Sequence, residues 1–226
     1  MWREKPTPYA PNMEYMASSF RPEFGVQKEL IIGEEDKRIV FNVKPVTNSK
    51  FSLFADKDFT RRNMAVRFVE KSMQRISQSR DISNIPTVVV IDFDKYNLKS
   101  TAIAGYDRTT ETVFYNAKYD TTAKVVAFIN QTEGYFANKT ADAPLLHEFG
   151  HHFYNSYVNN LAKSKGMAYN ESETIVKQSI YNKIENMGGK MYVEAISGYA
   201  LDGHKKGDYS EIVAEAYSIG KEGELL

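Results

Sequence analysis

Residues 147–151 have the sequence HEFGH, and this segment is the most specific pattern in the chain. If the segment is helical, His147 and His151 lie one turn apart on the same face, so both imidazoles can bind one metal ion. Glu148 then stands at the flank of that face, where its carboxylate can take a proton from a metal-bound water. We therefore predict a catalytic zinc site with two histidine ligands and a glutamate as general base.

The helix that carries this pattern is predicted to begin at Pro144 and to end near Lys165. Proline suits the first turn of a helix, where its missing N–H group has no intrahelical partner to lose. Apolar side chains recur every three or four residues along the segment, as on one face of a helix. The predicted apolar face consists of Leu146, Phe149, Gly150, Phe153, Tyr157 and Leu161.

The other segments alternate between patterns typical of strands and of helices. Hairpins are predicted at residues 28–43 and 102–116, and a single buried strand is predicted at residues 86–91. Helices are predicted at residues 60–79 (with Thr60 as cap), 122–131, 172–185 and 209–219. This order predicts an α+β fold, with a small mixed or antiparallel sheet packed on helices. Residues 1–25 contain four prolines and no period, which indicates an extended arm. We therefore divide the chain into an arm and hairpin at 1–45 and one domain at 46–226.

Two acidic residues compete for the position of a third zinc ligand, since a catalytic site usually has three protein ligands and one open position. Glu171 follows His147 by 24 residues. Glu211 has Glu215 one helical turn after it. We favour Glu211, because like charges at this spacing repel unless a cation lies between them, and because Ala214 permits close helix contact. Glu215 can then accept a hydrogen bond from the ring N–H of a ligand histidine.

The composition excludes several kinds of chemistry. The 226 residues contain no cysteine, which removes disulfides, thiolate zinc ligands and cysteine nucleophiles. Lysine plus arginine and aspartate plus glutamate both number 29, so no charge excess indicates a nucleic-acid partner. No apolar stretch follows Met1, and no run reaches the roughly 18 apolar residues of a membrane span. We expect neither a signal peptide nor a membrane partner.

These segments together resemble a known family. HEFGH at 147–151, SGYA at 197–200 and EIVAEA at 211–216 are similar to the gluzincin metallopeptidases of the lethal-factor type. That group includes toxin peptidases and zincin domains of phage head-morphogenesis or minor-capsid proteins. The resemblance covers about residues 55–220 and implies a zincin-like fold with an HExxH-bearing active-site helix. It also likens the hairpin at 105–116 to the edge strand along which such enzymes bind an extended peptide.

The resemblance implies a role for six residues. His147, His151 and Glu211 would bind zinc, and Glu148 would be the general base. Glu215 would orient a ligand histidine, and Tyr199 would donate a hydrogen bond to the oxyanion. Tyr199 precedes Glu211 by twelve residues, whereas the family's tyrosine precedes its glutamate by about seven. An insertion at 202–207 accounts for the difference and leaves His204 and Tyr209 as alternative donors.

The function that the resemblance implies is a zinc-dependent endopeptidase, a hydrolase that cleaves a peptide or protein substrate with a metal-activated water. The alternative is a structural or assembly protein of a phage virion that carries a zincin domain, with or without proteolysis. In that role residues 1–45 would attach the protein to a virion or another assembly partner. Both functions lead us to expect a cytoplasmic or virion-associated protein.

Overall fold

The computed structural model describes residues 28–32, 39–80 and 85–226, and this part of the chain has the predicted α+β fold. The chain forms two compact units, Met1–Gln131 and Thr132–Leu226. The predicted arm at 1–25 and the turn of the first hairpin lie outside the described residues. The predicted division between residues 45 and 46 falls inside the first unit, at the end of a strand, and differs from the division between the two units.

The first unit contains a mixed sheet with the strand order β1-β2-β3-β4-β6-β5. β3, β4 and β6 are parallel to one another, and the remaining neighbours are antiparallel. The strands are β1 (Lys28–Ile32), β2 (Ile39–Pro45), β3 (Leu53–Asp56), β4 (Thr87–Ile91), β5 (Ala104–Asp107) and β6 (Thr112–Asn116). The two predicted hairpins and the strand at 86–91 are confirmed, whereas β3 was not predicted.

Two helices accompany the sheet, α1 (Met64–Ser79) and α2 (Thr122–Ile129). α1 packs against β4, and its inward side chains are fully buried. The helix begins after Asn63, whose Oδ1 accepts hydrogen bonds from the backbone N–H groups of Ala65 and Val66 at 2.9 and 3.3 Å. The predicted cap at Thr60 was therefore wrong, because an Asn closer to the helix satisfies these donors.

The second unit is entirely helical apart from its connections and two short turns. It contains α3 (Ala143–Lys165), α4 (Tyr169–Asn186), α5 (Lys190–Ile196), α6 (Gly198–Lys206) and α7 (Tyr209–Ser218). Apolar side chains of all five helices form one core. α3, α4 and α7 confirm the predicted helices, while α5 and α6 were not predicted. None of the helices in the described ranges has the length and apolar character that a membrane span requires.

The buried face of α3 differs from the predicted one in its second half. Phe153 and Tyr157 are 37% and 42% exposed, whereas Tyr154 and Val158 are 3% and 0% exposed. α3 packs against both α4 and α7, and these neighbours cover the face that bears Tyr154 and Val158. The prediction failed here because aromatic side chains occur on both sides of the helix, and periodicity alone cannot tell which side meets a neighbour.

The contact between α3 and α7 is the most extensive helix contact of the second unit. It centres on Gly150, inside the HEFGH segment. A Cβ atom at this position would lie 2.6 Å from the Cα of Ala214 and 2.9 Å from the Cβ of Tyr217. The two backbones approach this closely because one residue lacks a side chain and the other has only a methyl group.

We expect Gly150→Ala to destabilise the protein, although alanine is the better helix former by about 1 kcal/mol. The obstructing atom is a backbone Cα, which cannot swing aside, so overpacking should cost about 1–3 kcal/mol beyond that gain. Urea unfolding followed by circular dichroism measures the difference. Gly223→Ala is the matched control, because a Cβ at Gly223 would have nothing within 4 Å. Equal unfolding midpoints for both variants would contradict the close helix contact.

Candidate metal centre

Three side chains of the second unit converge on one point. The Nε2 atoms of His147 and His151 are 3.1 Å apart. Glu211 Oε2 lies 3.2 Å from the first nitrogen and 3.4 Å from the second. α3 supplies both histidines at i and i+4, and the first turn of α7 supplies the glutamate. All three residues are buried to at least nine tenths. They form the group that could hold a metal ion in the described part of the chain.

The spacing of these atoms fits a tetrahedral metal ion. Zinc binds imidazole nitrogen and carboxylate oxygen at about 2.1 Å, so neighbouring ligand atoms of a tetrahedral site lie about 3.4 Å apart. The three measured distances, 3.1, 3.2 and 3.4 Å, are close to the edges of one tetrahedral face. Three protein ligands would leave the fourth position open, as in catalytic zinc sites.

Glu215 holds the other side of the His147 ring. Its Oε1 lies 2.9 Å from His147 Nδ1, and its Oε2 accepts a hydrogen bond of 2.7 Å from the backbone N–H of Ala137. An Nδ1–H that donates to a carboxylate leaves Nε2 with its lone pair free for a metal, and it fixes the plane of the ring. Glu215 is 2% exposed, so this hydrogen bond is shielded from water.

Charge pairing dominates the electrostatics of the centre. Burial acts to lower the pKa of His147, but the hydrogen bonds and charges of Glu211 and Glu215 outweigh it and raise this pKa well above its usual range. Burial acts to raise the pKa of Glu211, but the charge of His151 and the bonds to both imidazoles hold this pKa well below its usual range. The centre therefore favours a positive charge among its carboxylates, in the form of a proton or of a cation.

Two further predicted residues belong to the same neighbourhood. Tyr199, in the first turn of α6, has its ring 5.4 Å from that of His147, and its hydroxyl donates a 3.4 Å hydrogen bond to Glu211 Oε1. Burial first, and then the charges of Glu211 and Glu148, raise the pKa of Tyr199 well above its usual range, so the phenol stays neutral. Glu148 itself is fully buried on α3, next to the ligand His147.

The alternatives to Glu211 and Tyr199 lie elsewhere. Glu171 is exposed, and its Oε2 accepts a 3.1 Å hydrogen bond from the backbone N–H of Ala168 at the start of α4, so it caps a helix. The ring of His204 faces that of Tyr209 at 6.3 Å, near the other end of α6. Of the competing acids, Glu211 is the one that lies beside the two histidines. Of the competing donors, Tyr199 is the one that contacts both His147 and Glu211.

The predicted peptide-binding strand lies in the first unit. β5 is at the edge of the sheet, as the resemblance implies. All four of its residues are buried. The role of the hairpin stays a prediction.

Sequence reasoning missed Ala137, whose backbone N–H donates to Glu215, because no side-chain chemistry marks it. The expected close helix contact at Ala214 is confirmed, and its partner is Gly150, which the sequence placed on the apolar face of the helix.

Comparison with protein-family models, with curated proteins and with solved structures found no match to this chain.

Replacement of the two competing glutamates should separate their roles. We expect Glu211→Gln to weaken zinc binding by more than the roughly 10–100-fold that follows loss of a ligand's hydrogen-bond partner, because it removes a charged donor atom. Glu171→Gln should leave zinc affinity unchanged, since this residue caps α4. Competition titration with a chromophoric chelator measures both constants. Zinc affinity that falls in Glu171→Gln and not in Glu211→Gln would reject the assignment.

Proposed function

We propose that this protein is a zinc-dependent peptidase with a zincin-like domain at residues 46–226. The observation that supports the proposal most strongly is the triangle formed by His147 Nε2, His151 Nε2 and Glu211 Oε2, with edges of 3.1, 3.2 and 3.4 Å. A buried glutamate, Glu148, follows the first histidine on the same helix. A purely structural zinc site has no use for a buried acid next to its ligands, whereas hydrolysis requires a base.

Zinc in this site would lower the pKa of a water molecule towards 7 and polarise the scissile carbonyl group. The protein's own groups then move the proton. Glu148 would accept it from the attacking water and donate it to the departing amine. Glu215 keeps His147 in one orientation and one tautomer through the 2.9 Å contact with Nδ1.

Tyr199 is suited to stabilise the negative charge that develops on the carbonyl oxygen. Its phenol is neutral, because its pKa is raised by burial and by Glu211 and Glu148. A neutral O–H group can donate to an oxyanion without bringing a charge of its own into a buried site. The hydroxyl already donates to Glu211 Oε1, at the long distance of 3.4 Å, so a fully charged oxygen would be the better acceptor.

A peptide or protein substrate is what the resemblance implies, while a zinc-activated water can also hydrolyse bonds other than amides, so a hydrolase of another substrate class is a further alternative. The alternative role in a phage virion depends on the resemblance and on residues 1–45, of which 1–27 and 33–38 lie outside the described residues. It stays a prediction, and an assembly protein with an active centre would satisfy both functions.

Glu148→Gln tests the general base. We expect the variant to bind zinc as the wild type does, because the glutamine replaces no ligand, and to lose about 10²–10⁴-fold in kcat on a peptide mixture or denatured protein substrate. Mass spectrometry of the products and zinc titration measure the two effects. His147→Ala should instead lose the metal itself. Undiminished cleavage by Glu148→Gln would reject the mechanism.

Tyr199→Phe tests the oxyanion donor and separates it from the alternatives. Loss of one such donor lowers kcat about 10²–10³-fold. The phenylalanine keeps the ring beside His147, so zinc affinity and stability should change little. Tyr209→Phe and His204→Ala are controls at the far end of α6, and we expect both to cleave normally. A kcat that falls in Tyr209→Phe or His204→Ala but not in Tyr199→Phe would transfer the role to the other residue.

A further inference from the structure

A short segment before α3, Gly134 to Asn138, contacts α6 and α7, the helices that carry Tyr199 and Glu211. We call these five residues the strap. The carbonyl oxygens of Gly134 and Tyr135 accept hydrogen bonds from the backbone N–H groups of Gly198 and Tyr199, at 2.9 and 2.8 Å. The strap therefore occupies the N-terminus of α6, the helix whose first turn bears the proposed oxyanion donor.

These bonds complete the beginning of α6. The first N–H groups of a helix have no partner within it. Ser197 Oγ accepts from Ala200 N at 2.9 Å, and the strap satisfies the two N–H groups before it. The fit is close, because a Cβ at Gly198 would lie 3.2 Å from the ring of Tyr135. Neither Tyr199 nor the strap can shift along the helix axis without breaking two hydrogen bonds.

The rings of the strap hold the side chain of Tyr199 as well as its backbone. The Tyr135 ring lies 5.3 Å from the Tyr199 ring, and the Phe136 ring lies 5.9 Å from it. Both strap rings are buried, at 4% and 7% exposure. Tyr199 is thus enclosed by two strap rings and by the ring of His147, which leaves its hydroxyl few positions.

The strap reaches the metal ligands through α7. The N–H of Ala137 donates to Glu215 Oε2 at 2.7 Å, while Glu215 Oε1 contacts His147 Nδ1 at 2.9 Å. The next residue, Asn138, donates from Nδ2 to the carbonyl oxygen of Ser218 at 2.7 Å, at the last turn of α7. Its Oδ1 accepts from the N–H of Thr140 at 2.8 Å. Oε2 of Glu215 is thus fixed by the strap, and Oε1 is fixed by the ring of His147.

We propose that the strap is a positioning element of the metal centre, which sets the orientation of His147 through Glu215 and the place of the Tyr199 hydroxyl through α6. The inference rests on the proposed function, because it assumes that His147 binds metal. A carboxylate with only one oxygen held can rotate about its last bond, and the imidazole would then lose its fixed plane. The short, charge-assisted bond from Ala137 removes that freedom. The strap acts on the ligand His147 through a backbone N–H and the carboxylate of Glu215.

Ala137→Pro removes the N–H group, and Ala137→Ser keeps it as a conservative variant. We expect the proline variant to bind zinc about 10-fold more weakly, at the lower end of the range for loss of a ligand's hydrogen-bond support. The absorption bands of bound Co²⁺ report ligand geometry and should shift in intensity. Ala137→Ser should restore both values. A merely structural strap predicts lower stability with an unchanged Co²⁺ spectrum, and that outcome would overturn the proposal.

Asn138→Asp serves as the second variant, in case the proline variant does not fold. Aspartate keeps the acceptor for Thr140 N–H but cannot donate to the Ser218 carbonyl, so the strap should detach from α7. We expect a smaller loss of zinc affinity than in Ala137→Pro, together with the same direction of change in the Co²⁺ bands. Lys139→Ala is the control, because this exposed neighbour takes no part in these bonds. Identical spectra for Asn138→Asp and Lys139→Ala would count against the strap.

A measurement without metal separates this inference from the proposed function. In ¹H–¹⁵N spectra the Ala137 amide proton should resonate downfield and exchange slowly, and Glu215→Gln should move it, because its acceptor loses its charge. Asn138→Asp should move the His147 Nδ1–H signal, and Lys139→Ala should not. An Ala137 amide that Glu215→Gln leaves in place would overturn the strap inference even if zinc is bound and peptides are cleaved. A wild type with these couplings that binds no zinc would instead reject the proposed function alone.

Discussion

α3 and α7 can present their functional residues to one another only because their backbones nearly touch. The contact joins Gly150, between the two histidines of α3, to Ala214, between the two glutamates of α7. On each helix the small residue and the polar residues share one or two turns, so the point of closest approach is also the point where the imidazoles face the carboxylates. A larger residue at either position would separate the helices, and donor atoms 3.1–3.4 Å apart could no longer meet. The same few residues therefore determine both helix contact and metal geometry.

This arrangement concentrates charge in a place where charge is costly. Glu148, Glu211 and Glu215 are all buried, and unpaired carboxylates in such surroundings would be strongly destabilising. His147 lies between two of them, whose hydrogen bonds and charges outweigh burial and raise its pKa. The charge of His151 and the bonds to both imidazoles outweigh burial in turn and lower the pKa of Glu211. A divalent cation would offset the negative charge more fully than one shared proton, and it would release the imidazole nitrogens to act as ligands. The electrostatic balance of the centre thus favours the same occupant as its geometry.

Local patterns in the sequence predicted what depends on local physics. The histidine pair follows from the helical period, and the hairpins, β4 and three helices of the second unit follow from periodicity. β3 was missed because its four residues, Leu53–Asp56, are too few to show a period, and α5 and α6 because they are short and adjoin at Ser197. The pattern of Glu211 with Glu215 favoured Glu211 as the third member of the centre, but spacing left Glu171 as an alternative. The fold distinguishes the two glutamates, because Glu171 caps α4 and Glu211 lies beside the histidines. The strap left no pattern at all, because much of its contribution is made by backbone atoms.

The twelve-residue spacing from Tyr199 to Glu211 shows why a spacing can differ while a geometry is kept. The segment interpreted as an insertion is the body of α6, and the chain reverses after it into α7. At the crossing of these two helices a Cβ on Gly203 would lie 2.9 Å from the Cβ of Glu211, so the turn brings the start of α7 back against α6. Contact between the phenol and the glutamate is therefore set by the close crossing of two helices and by the strap at the other end of α6. The number of residues between them matters only in so far as it lets the chain reverse. A resemblance based on that number alone would have discarded a tyrosine whose ring lies 5.4 Å from that of His147.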